Sequence, residues 1–206
     1  SGRIRVDVNG HWGVDTAHRN LSALARFGLE YAEQPCASVT ELADLRRRLA
    51  RSGTDVPIAA DESIRRSGDP ERVVAEEAAD IAVLKVQPLG GVRACLELAE
   101  RLGLPVVVSS ALESSVGLAA GVALAAALPE LPYACGLNTA TMCTRDVTAD
   151  PLVAVDGEIA VRPVAVDDNG EWRAGGAATR GWLRRLATVA GAPAADDDEP
   201  ATEGER

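Results

Sequence analysis

Lysine is almost absent from this sequence. Of its 21 fixed cations, one, Lys85, is a lysine and the rest are arginine. Aromatic residues make up 3% of the chain. The interior must therefore be built from Val, Leu, Ile and Ala, which the hydrophobic share of 47% can supply. Cysteine is scarce and unpatterned: Cys36, Cys95, Cys135 and Cys143 have no CxxC spacing and lie among apolar residues. That excludes a disulfide framework or a zinc site and reads as reduced thiols. No apolar run is long enough to span a bilayer; residues 116–128 are apolar but too few. The start carries no secretory pattern, so the location expected by default is cytoplasmic. Positive charge is in deficit as well. The net charge of −10 argues against nucleic acid and anionic membrane surfaces as partners, although part of it sits in residues 196–205.

What is present is a rhythm. Residues 4–10 alternate apolar and polar and stop at Asn9-Gly10, as a strand does. Asp15 is placed to cap a helix running to Phe27-Gly28. Strands are then expected over 29–35, 56–63, 81–86, 104–108 and 133–137. Between them helices are expected from Thr40 (with Leu42, Leu45 and Leu49 on one face), over 69–79, over 92–102 and over 115–128. Such alternation argues for a parallel sheet wrapped by helices. A doubly wound sheet and a (β/α)₈ TIM-type barrel both fit. A whole barrel needs about 250 residues, and six units would be three quarters of one. Beyond the sixth strand, Asp156-Gly157 between β-branched runs signals a hairpin, and residues 181–189 a last short helix. We therefore expect a partial barrel over 1–150, a C-terminal extension over 151–189 and a disordered acidic tail over 190–206.

Polar residues mark the strand ends. Asp7, Glu33, Asp61, Lys85 and Ser109 follow apolar strand residues at intervals of 24 to 28 residues. In a parallel barrel these ends open on one face, where barrel active sites are built. Three carboxylates brought together cannot all stay ionised without a cation, and hard oxygen ligands of this kind suit Mg²⁺. Alone, each carboxylate reads as a strand-end residue bonding a helix N-terminus, and the lysine as a snorkelling side chain. Three in succession, followed by the single lysine, point to a metal site. Lysine is a compact point charge whose pKa moves on burial, which suits proton transfer or charge placed against a carbon acid.

The motifs Asp7-Val8-Asn9, Glu33-Gln34-Pro35, Asp61-Glu62-Ser63 and Leu84-Lys85-Val86 resemble the metal and lysine motifs of the enolase superfamily, in its muconate-lactonising subgroup. The serine-rich loop from Ser109-Ser110 to Val116-Gly117, and Cys135-Gly136-Leu137-Asn138-Thr139, resemble the loops after strands seven and eight of o-succinylbenzoate synthases. The resemblance covers about residues 3–165. It implies that Asp7, Glu33 and Asp61 ligate Mg²⁺ (Mn²⁺ as a substitute), which stabilises the ene-diolate formed when the proton α to a bound carboxylate is removed. It implies that the Lys85 cation faces that ene-diolate, that Ser109 and the Gly136 backbone hold the substrate, and that Asn9 and Glu62 support the ligands from behind. The reaction implied is loss of water from a succinyl-hydroxycyclohexadiene carboxylate, giving o-succinylbenzoate for menaquinone synthesis.

This sequence departs from the family at one point of chemistry. The family's acid/base lysine lies on the second barrel strand in a Lys-x-Lys motif, and there is no second lysine here. By the resemblance, the six strands are strands three to eight of the barrel. The first two strands and the N-terminal capping domain are expected on a segment outside these residues, and the C-terminal extension is expected to pack toward that cap. Two other readings stand beside the synthase. An N-succinylamino acid racemase or related epimerase uses the same site without losing water. A non-catalytic metal-binding barrel would need no second lysine.

Overall fold

The computed structural model describes residues 2–66, 68–167 and 177–191. The chain divides into two units, Ser1–Val166 and Asp167–Arg206. The first contains a five-stranded parallel sheet of β1 (Ile4–Asp7), β2 (Leu29–Glu33), β3 (Ile58–Ala60), β4 (Ile81–Leu84) and β5 (Val106–Val108). The strands pair in the order β1-β2-β3-β4-β5. A doubly wound sheet reverses its strand order at a switch point. Here each strand neighbours its successor in sequence throughout, which is the order of a barrel wall.

Helices fill the crossovers: α1 (Val14–Leu24), α2 (Val39–Ser52), α3 (Glu62–Arg65), α4 (Asp69–Ala75), α5 (Val92–Leu102) and α6 (Ser115–Ala127). Several boundaries differ from the sequence expectation for local reasons. α1 starts from Gly13, with Asp15 in its first turn instead of at its cap. Ser38, not Thr40, caps α2: its hydroxyl accepts the Glu41 N–H while the Glu41 carboxylate accepts the Ser38 N–H, a reciprocal capping box. α4 ends at Ala75 and not at Ala79, because Glu77 takes a left-handed φ of 51° and turns the chain into β4. β3 is only three residues long, because the chain after Asp61 turns at once into α3.

The expected sixth strand over 133–137 is not a strand. It is reduced to one parallel bridge, Ser109 to Gly136, with Gly136 N–H donating to Val108 O at 2.9 Å and Ser110 N–H to Gly136 O at 2.9 Å. A Cβ at Gly136 would lie 2.9 Å from Ser109 Oγ, so this approach requires glycine. The hairpin signal is met in miniature. Val155 and Glu158 form an isolated antiparallel bridge, and Asp156 and Gly157 both have positive φ, 53° and 85°, as a two-residue type I′ turn needs.

Strand alternation sorts side chains into two layers. Ile58, Ala60, Ala82, Leu84, Val106 and Val108 join the main core under the helices, with Leu21, Leu42, Leu45, Leu118 and Leu124. Tyr31, Ala59, Ile81, Val83 and Val107 form a second cluster on the concave side, with Tyr133 against it. Both faces are buried, as in parallel sheets generally. At the start of the strands Arg5 stacks on Tyr31 at 4.6 Å, and Tyr133 meets Tyr31 edge-on at 5.8 Å. Arg5 also donates to Ala134 O at 2.8 Å.

In the second unit α7 (Ala177–Val189) begins four residues before the expected 181. Its Trp182, Leu183 and Leu186 are exposed, with the Arg185 guanidinium over the Trp182 ring at 5.1 Å. The expected acidic tail falls, apart from Ala190 and Gly191, outside the described residues. Among the described residues no helix is long and apolar enough to cross a membrane.

Candidate active site

The concave cluster continues, one pleat further along each strand, into polar residues. Arg5 leads to Asp7, Tyr31 to Glu33, Ala59 to Asp61, Val83 to Lys85 and Val107 to Ser109, each two residues on and so on the same face. The register aligns them: Asp7 pairs with Glu33, Glu33 with Ala59, and Leu84 with Val108. All five stand at the C-terminal ends of the strands. Two cavities, of about 760 Å³ and 600 Å³, open at the other end, around Pro105 and Tyr133, and touch none of the five.

Lys85 Nζ donates to Asp61 Oδ2 at 2.6 Å, with the lysine side chain 14% exposed and the aspartate 3%. The charge-assisted bond joins β4 to the end of β3 and aims the single lysine at the carboxylates. Glu33 is the group most affected by its neighbours. Burial, then the negative charges of Asp7 and Asp61, push its carboxyl up to about 7, with Lys85 pulling in the other direction and Glu62 adding to the rise. The three expected ligands therefore feel one another. They are not arranged as a closed cage: among the described residues no group of three or more His, Cys, Asp or Glu is placed to hold a metal ion. Asp61 is also engaged from within the protein. Arg65, on the turn of helix after Asp61, donates Nε to Asp61 Oδ1 and Nη2 to Asp61 Oδ2, both at 3.2 Å, and reaches Glu62 Oε1 at 2.8 Å. Two internal cations thus occupy the aspartate.

The donor set nonetheless fits a hard divalent cation. It is all carboxylate oxygen, its negative charge is under-compensated at Glu33, and Glu62 Oε2 is buried without a hydrogen-bond partner. Asn9 touches Asp7 through its backbone: its N–H donates to Asp7 Oδ1 at 3.0 Å, and its φ is 50°. Ser109 Oγ lies 3.5 Å from Gly136 O. That oxygen also accepts from Ser110 Oγ at 3.0 Å, and Ser110 Oγ in turn accepts from Thr139 at 3.0 Å. Both backbone groups of Gly136 are therefore used within the protein, and its bare Cα is packed against the Ser109 side chain.

Sequence reasoning missed Arg65, one arginine among many, and Gln34. The latter is fully buried and bonds to the backbone beside Asp61. A polar residue inside the Glu33-Gln34-Pro35 motif was the available signal for it.

The enolase C-terminal domain-like family matches residues 1–170. The chain belongs to that family. Among relatives in this enolase family, the o-succinylbenzoate synthase of Thermobifida fusca (strain YX) is 66% identical over 167 residues, covering 81% of this chain and 51% of that protein. The o-succinylbenzoate synthase of Mycobacterium tuberculosis (strain ATCC 25618 / H37Rv) is 58% identical over 165 residues, covering 80% and 49%. This chain thus spans about half the length of the curated relatives it matches. Of solved structures, the muconate lactonizing enzyme from Pseudomonas fluorescens complexed with muconolactone superposes with a TM-score of 0.72 at 30% identity, covering 81% of this chain and 46% of that one. The muconate lactonizing enzyme from Pseudomonas putida gives 0.69 at 30% identity, covering 79% and 46%. The half-barrel order of the strands and the enolase family agree.

Proposed function

We propose that this chain carries the metal- and lysine-bearing part of an o-succinylbenzoate synthase-like lyase, a soluble cytoplasmic enzyme of menaquinone synthesis. One observation carries the reading: Lys85 Nζ stands 2.6 Å from Asp61 Oδ2, in a row of strand-end groups with Asp7, Glu33 and Ser109. The names of the relatives support the substrate. Asp7, Glu33 and Asp61 would hold Mg²⁺, which supplies charge compensation for the substrate carboxylate.

The chain's own residues do the rest. The Lys85 ammonium faces the negative charge that builds as the proton α to the carboxylate leaves, and stabilises it most where charge is greatest. The Ser109 hydroxyl and the backbone at Gly136 receive the body of the substrate. The apolar concave cluster beneath the row keeps water out from below. Proton and hydroxyl leave the substrate together as water, and a ring with one more double bond remains. Asn9 and Glu62 brace the ligands, and Arg65 balances the acidic set beside Asp61. The acid/base lysine that this sequence lacks comes, in this reading, from chain outside these residues, as do the cap and the first barrel strands.

The test is an assay of the intact enzyme with the succinyl-hydroxycyclohexadiene carboxylate and, separately, with an N-succinylamino acid. Mg²⁺-dependent formation of o-succinylbenzoate is expected. Epimerisation without dehydration would replace the synthase reading with the racemase one, and turnover of neither would leave a metal-binding barrel.

A further inference from the structure

The chain segments at Asp7, Glu33 and Asp61 are linked through one buried residue, Gln34. Gln34 is 0% exposed, and its amide is fully used. Its Oε1 accepts the N–H groups of Asp61 at 2.9 Å and Ser63 at 3.2 Å, while Nε2 donates to Cys36 O and Ser63 Oγ, both at 2.9 Å. A primary amide offers two donors and an oxygen with two acceptor sites, so none is left over. With two backbone N–H groups on one side and a carbonyl on the other, only one orientation of the amide satisfies the set.

The main chain of Gln34 joins in. Its N–H donates to Ala59 O at 2.8 Å on β3, and its carbonyl accepts Gly10 N–H at 2.6 Å, from the turn that follows Asp7. The residue holds φ at 36°, a left-handed conformation that a side chain larger than glycine adopts only when its surroundings fix it. β2 thereby turns away directly after Glu33, and the side chain is delivered under the start of α3. One residue thus ties the turn after Asp7, the residue after Glu33 and the backbone of Asp61 together.

We propose that Gln34 is the positioning residue of this site: its saturated amide and reversed backbone fix where Glu33 and Asp61 stand relative to one another, and through Asp61 where Lys85 stands. This rests on the proposed role of the three carboxylates for its metal arm but not for its lysine arm. Partners behind a metal ligand commonly matter 10- to 100-fold in affinity, and no other side chain among the described residues bonds to the Asp61 N–H.

The experiment compares Gln34→Met, which keeps length and removes all four side-chain bonds, with Leu45→Ala. Leu45 is fully buried in α2, under the opposite layer of the sheet, and its truncation lowers the melting temperature at least as far. Two quantities are read on the purified protein: Mn²⁺ affinity by electron paramagnetic resonance, and the rate at which an acylating reagent modifies Lys85, followed by peptide mass. Lys85 is the single lysine of these residues, and the mass of its own peptide separates it from lysines elsewhere in the intact chain. We expect Gln34→Met to weaken Mn²⁺ binding about tenfold or more and to speed Lys85 acylation several-fold, with Leu45→Ala leaving both within about twofold. If Gln34→Met does not fold, Gln34→Asn, which carries the same amide on a shorter stem, is read in the same way. Unchanged affinity and acylation in the Gln34 variant, or equal shifts in Leu45→Ala, would overturn the proposal. If the wild-type protein binds no Mn²⁺, the metal reading fails by itself, and Lys85 acylation alone decides the role of Gln34.

Discussion

Glu33 is where the chemistry of the site becomes measurable. Its carboxyl, pushed up to about 7 from an ordinary 4.5 by burial and by Asp7 and Asp61, binds a proton in the metal-free folded state that the unfolded chain has already lost. Between those two values the folded state holds more protons, so this group's contribution to stability is full below about 4.5 and is lost as pH rises through about 7. A divalent cation reverses the balance, because it binds the deprotonated form. Mg²⁺ affinity measured by calorimetry should therefore rise between about pH 6 and 8, with proton release falling from close to one per ion at about pH 6 toward none at about pH 8; a flat profile would remove Glu33 from the ligands. Lys85→Ala should cut turnover of the intact enzyme by at least about a hundredfold while leaving Mg²⁺ affinity and the circular dichroism spectrum close to wild type; near-normal turnover would take Lys85 out of the mechanism. The row from Asp7 to Ser109 was legible in the sequence because a period of two and a strand end decide where such a side chain goes. Arg65 was not legible, since nothing in a string of arginines says which one folds back four residues onto Asp61. The role of Gln34 depends on a left-handed φ, which sequence shows readily for glycine and poorly for glutamine.

Among the elements, strands were easier to find than to bound. β3 keeps three residues of an expected eight because Asp61 already belongs to the turn into α3, and the sixth strand shrinks to the Ser109–Gly136 bridge. Their apolar content was visible; the number of ladder bonds each makes depends on neighbours that a local pattern does not contain. Helix ends were no clearer: the expected caps of α1 and α2 fell two residues late, and α4 ends four residues early, before the left-handed Glu77. The Ser38–Glu41 box closes the first turn of α2, the helix that covers β2 and β3 with Leu42, Leu45 and Leu49. Ser38→Ala should lower unfolding free energy by about 1 kcal/mol, read from urea titration, with activity of the folded protein unchanged. A loss of activity without a loss of stability would show that the loop after Pro35 serves the site directly. α6 follows a different rule. It is apolar nearly all round and built from small residues, and a Cβ at Gly121 would fall 2.7 Å from Leu137 Cδ2. That close approach seats the Leu137 side chain against α6, while Ser109 is held in the row by its own N–H donating to Leu84 O at 3.0 Å.

At the scale of the whole molecule, the rhythm of alternating elements left two architectures open, and strand order decides between them. Five parallel strands in sequential order carry each strand-end residue to the next position round a wall, so groups 24 to 28 residues apart in sequence become neighbours on one face. Among the described residues, the cations bonded to Asp61 in this row are Lys85 and Arg65, and the proposed function adds a divalent cation from outside. The most direct test is a crystal structure of the protein with Mg²⁺. We expect one ion with carboxylate oxygens of Asp7, Glu33 and Asp61 at about 2.1 Å, Arg65 withdrawn from Asp61, and Lys85 facing the open side. An ion bound elsewhere, or Asp61 still closed by Arg65 at saturating Mg²⁺, would contradict it.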